Sequence, residues 1–139
     1  VGQENALLAF DPEIRKILVA DESLKSADSA RKLAIAPQPF GIFNIKLMKC
    51  GGIAGAMHIA DIAKQTGIQL FWGCNDESIV SITAALHAAF ACPHTRYLDL
   101  DGSFDLAEDL VSGGFHLDKG YLSLAGGKGL GVQRHAEKS

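Results

Sequence analysis

Lys46 has the least ordinary setting of any ionisable residue in this chain. It sits inside Phe43-Asn44-Ile45-Lys46-Leu47-Met48, an apolar run that soon breaks at Gly51-Gly52. Alternation along a strand puts Phe43, Ile45 and Leu47 on one face, and Asn44, Lys46 and Met48 on the other. A cation at the carboxyl end of an otherwise buried strand is costly unless it has work or a partner. Three more apolar runs end in groups suited to metal, proton or ammonium chemistry. Val19-Ala20 runs into Asp21-Glu22-Ser23, Phe71-Trp72-Gly73 into Cys74-Asn75-Asp76-Glu77, and Tyr97-Leu98 into Asp99-Leu100-Asp101. Taken singly, each has a plain structural use. Lys46 reaches solvent past its strand, Asp21 caps a helix or closes a strand, and Cys74 packs as a small hydrophobe.

Spacing joins them. Asp21, Lys46, Cys74 and Asp99 follow one another at 25, 28 and 25 residues, the period of strand–helix units in a parallel sheet. Ligands in such sheets gather at the carboxyl ends of the strands, where these polar residues collect. The elements that must position them are strands over Lys16–Ala20, Phe43–Met48, Ile68–Gly73 and Thr95–Gly102. Helices are expected over Ser26–Ala36, stopped by Pro37-Gln38-Pro39, over Ile53–Gln65 with Gly67 as its end, and over Ile79–Ala91. A short helix or loop precedes them, with Asp11-Pro12 opening a helical turn. A shorter helix, Phe104–Val111, and a hairpin over Phe115–Leu124 around Asp118-Lys119-Gly120 follow, then a glycine-rich, frayed tail to Ser139. Gly51 and Gly52 permit a tight strand-to-helix turn. The fold class is α/β. Four units make either an open sheet or half of an eight-stranded (β/α)8 barrel of about 250 residues.

Composition narrows the function. The 139 residues are one domain's worth of chain, or part of a larger one, and 47% hydrophobic against 21% charged residues supplies a core. A net charge of −3 without a basic stripe argues against nucleic acid as a partner. No apolar run approaches the ~20 residues a bilayer needs, so no membrane is expected, and the first five residues are not a signal peptide. Cys50, Cys74 and Cys92 are odd in number and widely spaced, which reads as reduced thiols in a cytoplasmic protein.

Four motifs together resemble the enolase superfamily. They are Val19-Ala20-Asp21-Glu22-Ser23, Asn44-Ile45-Lys46-Leu47-Met48-Lys49-Cys50-Gly51-Gly52-Ile53, Trp72-Gly73-Cys74-Asn75-Asp76-Glu77-Ser78 and Asp99-Leu100-Asp101-Gly102. The likeness runs from about Ile17 to Val132 and is nearest to the muconate-lactonising subgroup and its dipeptide epimerases, the alanine–glutamate type included. It implies the C-terminal half of a TIM-type barrel, barrel strands five to eight, in residues 1–112. Residues 113–139 would then be a hairpin and tail returning to a capping domain. It implies Asp21 as a Mg²⁺ ligand, Lys46 rather than Lys49 as a catalytic base, Cys74 and Asp76 as substrate contacts, and Asp99 and Asp101 as the clamp on a dipeptide's ammonium group.

The implied chemistry suits these residue types. Epimerisation removes a weakly acidic proton α to a carbonyl, and a metal acting as Lewis acid stabilises the enediolate that develops. A hard Mg²⁺ takes carboxylate oxygens. An amine beside a divalent cation has its pKa lowered toward neutrality, as a base working there requires. Two bases on opposite faces of the α-carbon give removal on one side and return on the other; Lys46 is one of them. Asp99 and Asp101, as alternate strand residues, face the same way. Asp76, if it points inward, disfavours glutamate at the dipeptide's second position and favours a neutral or basic side chain.

The family's other two metal ligands, its second lysine base and its capping domain have no counterpart here. The expectation is therefore a fragment that is inactive alone, from a full-length form that is homo-oligomeric. Small departures are Ile17-Leu18 where a proline usually precedes the Asp21 strand, and Lys128-Gly129-Leu130-Gly131 in place of Pro-Gly-Leu-Gly. Glu22 is read as a supporting residue, and Asp105, Glu108 and Asp109 as a solvated helix face. His58 and His87 are read as structural, and His94, His116 and His135 as loop or surface residues. The rival readings are another acid–sugar, lactonising or succinylbenzoate-forming member of the superfamily, and a non-catalytic half-barrel that self-associates.

Overall fold

The apolar runs pair as four parallel strands in strict chain order. In this computed structural model, which describes residues 1–135, they are β1 (Val19–Ala20), β2 (Ile42–Ile45), β3 (Gln69–Trp72) and β4 (Thr95–Leu98), in the order β1-β2-β3-β4. The last part of the expected tail, residues 136–139, lies outside the described residues. Ala20 pairs with Phe43, Phe43 with Leu70, and Ile45 with Trp72, which pairs with Leu98. A parallel sheet that never reverses its strand order is the arrangement of a barrel wall, whereas doubly wound sheets reverse at a switch point.

A 3₁₀ helix (Glu4–Ala9) and α1 (Pro12–Arg15) come first, α1 opened by Asp11, whose carboxylate accepts the Glu13 N–H at 2.8 Å. The crossovers carry α2 (Ala27–Leu33), α3 (Leu47–Cys50), α4 (Gly52–Thr66) and α5 (Ile79–Ala91). Ser26 and Ser29 form a reciprocal capping box on α2, and Gly67 in a left-handed conformation ends α4. α2 packs on α4 and α4 on α5, as right-handed crossovers that all fall on one face require. Phe43, Trp72, Leu70 and Ile45 fill the core beneath them, with Ile59, Ile82 and Leu86. Each side chain of that size contributes about 1.5–3 kcal/mol by leaving water. The Trp72 indole N–H finds Thr95 Oγ1 at 3.0 Å, so its burial leaves no polar orphan.

Several elements are shorter than the sequence predicts. Lys16 and Ile17 belong to a turn, and only Val19 and Ala20 pair. β2 ends at Ile45: Lys46 is still extended, and Leu47 begins α3. Met48 therefore does not share a strand face with Asn44 and Lys46; it lies on a helical turn, 66% exposed. Gly51 and Gly52 join α3 to α4 with φ of 86° and 73°, and nothing crowds their missing Cβ positions. Conformation, not space, demands glycine there.

β4 stops at Leu98, although one more ladder bond, Asp99 N–H to the Trp72 carbonyl at 2.9 Å, carries the register one residue further. The expected helix over Phe104–Val111 does not form. Asp109 is turned instead to the start of α5, accepting from Ser78 Oγ at 2.9 Å and from the Ile79 N–H at 2.7 Å. Capping a neighbouring helix satisfies donors that a local helix would leave orphaned. The hairpin is as expected, with β6 (Phe115–Asp118) and β7 (Tyr121–Leu124) joined by Lys119 and Gly120, both at positive φ. A second antiparallel pair, β5 (Val111–Gly113) with β8 (Val132–Arg134), was not foreseen.

Candidate active site

Each residue the motifs single out lies at the carboxyl end of its strand. Asp21 follows β1 directly, Lys46 follows β2, Cys74 is second after β3, and Asp99 follows β4. Lys46 Nζ stands 3.2 Å from Asp21 Oδ2 and 3.3 Å from Asn75 Oδ1. Asn44, two residues back on the same strand face, donates its amide to Asp21 Oδ2 at 3.1 Å. Lys49 comes round one turn of α3 and donates to Asp21 Oδ1, and to Glu22 at 3.0 Å. One carboxylate thus receives two ammonium groups and an amide.

The electrostatics follow from that crowding. Burial pushes the Asp21 carboxyl up, but hydrogen bonds from Lys49 and Lys46 outweigh it and hold the group below the usual carboxylate range. Burial pulls the Lys49 ammonium down, and its bonds to Asp21 and Glu22 more than reverse that. Both groups stay charged near neutral pH.

Cys74 and the two aspartates form the other side of the mouth. Cys74 Sγ accepts the Gly102 N–H at 3.3 Å and lies 3.4 Å from the Asp99 carbonyl and 3.8 Å from Asp101 Oδ1. Burial pushes its thiol up, the Gly102 N–H lowers it, and the charges of Asp101, Glu77 and Asp99 raise it further. Cys74 is a thiol that ties the end of β3 to the Asp99–Gly102 segment. Asp99 and Asp101 are exposed and flank buried Leu100, though on coil beyond β4 rather than within a strand. Asp76 stands exposed in the turn with no hydrogen-bond or ion-pair partner among the described residues.

Three contributors went unassigned by sequence reasoning: Asn44, Lys49 and Asn75. The signal for Lys49 was its distance of three from Lys46, which becomes one helical turn once the chain leaves the strand at Lys46. Asn44 shared a face with Lys46 and could have been read with it. Glu77, 5% exposed, accepts the Asn75 N–H at 2.8 Å and the Ser81 hydroxyl. Nothing in its spacing separated it from the surface acids around it. His94, expected as a loop or surface residue, lies in the turn before β4, half-buried with Nε2 3.0 Å from the Ala60 carbonyl.

Among the described residues no three His, Cys, Asp or Glu side chains gather to hold a metal ion. Asp21 fits a hard divalent cation as one oxygen ligand, not as a complete site.

A barrel-wall sheet with an amine, a hard-oxygen acid and an acid pair at its carboxyl mouth defines the class. The chain belongs to the enolase C-terminal domain-like family, whose model matches residues 6–138. It is 57% identical over 131 residues to an L-Lys-D/L-Arg epimerase of Methylococcus capsulatus, covering 94% of this chain and 37% of that protein. It is 58% identical over 121 residues to an L-Lys-D/L-Arg epimerase of Desulforapulum autotrophicum, covering 87% and 34%. A crystal structure of a dipeptide epimerase from Methylococcus capsulatus, complexed with Mg and the dipeptide L-Arg-D-Lys, matches with a TM-score of 0.92 at 57% identity, again over 94% and 37%. The chain therefore spans little more than a third of the relatives it matches. None of its described helices is long and apolar enough to cross a membrane.

Proposed function

We propose that these residues are the strand-five-to-eight part of a Mg²⁺-dependent dipeptide epimerase whose substrates carry basic side chains. The observation that carries the reading is the Lys46 ammonium, 3.2 Å from Asp21, with only β3 between its strand and the strand that leads into Asp99 and Asp101. An amine, a metal-seeking acid and an ammonium clamp then face one small molecule. Two relatives above 55% identity are named for lysine and arginine dipeptides, which supports the substrate class. The charge of the mouth supports it too: Asp76, Asp99 and Asp101 are exposed acids there, and they would repel a glutamate side chain. The alanine–glutamate type is the poorer fit on both grounds.

In this reading Asp21 is one ligand of Mg²⁺, and the remaining ligands come from residues outside this chain. The ion supplies Lewis-acid stabilisation of the charge that develops on the substrate's carboxylate. Lys46 Nζ takes the α-proton of the second residue, or returns it, on one face only; the base for the opposite face also lies outside this chain. Asp99 and Asp101 hold the substrate's ammonium group by charge-assisted hydrogen bonds, which fixes the α-carbon relative to Lys46. Residues 113–139 are proposed to lead the chain back toward a capping domain.

The test is α-proton exchange by the full-length protein in D₂O with Mg²⁺, followed by NMR over a dipeptide panel. Loss of the second residue's α-proton signal is expected for L-Lys-L-Arg and its basic neighbours, and much more slowly for L-Ala-L-Glu. No exchange with any dipeptide would overturn the reading.

A further inference from the structure

We propose that Asn75 is a positioning residue for Lys46, holding the ammonium centred over its own strand end so that Asp21 is not its single partner. This rests on the reading of Lys46 as the proton-transferring amine.

The Lys46 side chain is 15% exposed and has a polar partner on each flank. Asp21 Oδ2 follows β1 on one side, and Asn75 Oδ1 follows β3 on the other, at nearly equal distances of 3.2 and 3.3 Å. β2, which Lys46 follows, lies between those two strands. A lone carboxylate neighbour draws an ammonium into a fixed ion pair, because Coulomb attraction strengthens as water leaves. A neutral amide oxygen on the opposite side offers a hydrogen bond without adding charge. It pulls the amine back and still lets it swing to a reacting carbon.

Asn75 has this role only if its own backbone is fixed, and four contacts fix it. Its N–H is held by Glu77 Oε1 at 2.8 Å, and the other oxygen of that buried carboxylate takes the Ser81 hydroxyl from α5. The Glu77 N–H donates to the Gly102 carbonyl at 3.3 Å. The Asn75 carbonyl lies so close to Gly102 that a Cβ there would stand 1.9 Å away. The turn after β3 is thus locked to the end of β4 and to the first turn of α5. From that turn the Asn75 amide is the side chain that meets Lys46.

The two epimers of one dipeptide provide the test, because Lys46 serves one face of the α-carbon. Exchange is measured in D₂O with Mg²⁺ on the full-length protein, starting separately from L-Lys-L-Arg and L-Lys-D-Arg. K46A is expected to slow one epimer far more than the other and so identifies the face. N75A and N75S are then expected to slow that same epimer roughly ten- to a hundredfold, the cost of a slightly misplaced reacting group, with the other epimer near the wild-type rate and KM little changed. N75D is expected to slow it as well, since a second carboxylate fixes the ammonium. Equal slowing of both epimers by N75A, or no slowing, beside an asymmetric K46A, overturns the positioning role alone. A symmetric K46A overturns the reading of Lys46 and the role of Asn75 with it.

Discussion

Lys46 and Asp21 stand 3.2 Å apart, Nζ to Oδ2, across the ends of two neighbouring strands. Lys49 takes the other oxygen of the same carboxylate from one helical turn away. Asp21 is thereby held charged by a lysine with no assigned part in proton transfer.

Replacing that lysine, in Lys49→Met, leaves Asp21 with one ammonium instead of two. The Asp21 carboxyl is depressed in the folded state, so its contribution to stability is present above the unfolded value of about 4 and is lost as pH falls through the lower folded value. Lys49 is raised, so its share is complete below about 10.5 and is lost only as pH rises through its higher folded value. The difference in urea midpoint between wild type and K49M is therefore expected to be flat across neutral pH and to shrink below about pH 4. A difference that grows on acidification would contradict the pairing.

Asp109 caps α5 from thirty residues away in sequence, through Ser78 Oγ and the Ile79 N–H. Burial pushes its carboxyl up, and the bonds from the Ile79 N–H and the Ser78 hydroxyl outweigh that and bring it below the ordinary range. Asp109→Ala is expected to cost about 1 kcal/mol, the usual worth of an N-cap acceptor, read as a lowered melting temperature. S78A in the same background should add less than its own single effect, because the two groups share the cap.

Gly102 is where the two halves of the mouth touch. A Cβ there would lie 1.9 Å from the Asn75 carbonyl, and neither backbone has room to move without losing the Cys74 and Glu77 contacts. Gly102→Ala is expected to destabilise by about 1–3 kcal/mol, as overpacking does, and to cut exchange activity. A melting temperature equal to wild type would show that the turn yields freely.

Asp99 and Asp101 are proposed to hold the substrate's ammonium group. D99N and D101N are each expected to lower kcat/KM about ten- to a hundredfold, the loss of a charge-assisted bond. The variants should also lose preference for the free dipeptide over its N-acetyl form. An unchanged preference would move the ammonium site elsewhere.

Much of this was legible in the sequence. Four apolar runs at a regular period required a parallel sheet, and register then brought the tips together, because Ala20, Phe43 and Leu70 pair in a row. What escaped were features decided by contacts far along the chain. Leu47 and Met48 read as strand by hydrophobicity, yet Gly51 and Gly52 at positive φ allow a helical turn that brings Lys49 back to Asp21. Phe104 to Val111 had a helical pattern, but Asp109 was worth more to the open end of α5. Asn75 carried no signal, since an exposed turn residue becomes a partner of Lys46 only when β2 and β3 lie side by side.

The most direct measurement is a crystal structure of the full-length protein with Mg²⁺ and a lysine–arginine dipeptide bound. The expected result has Asp21 coordinating the metal at about 2.0–2.1 Å, Lys46 Nζ about 3–3.5 Å from the second residue's α-carbon, and the substrate ammonium between Asp99 and Asp101. A dipeptide whose ammonium lies away from that pair, or whose α-carbon is out of reach of Lys46, would contradict it.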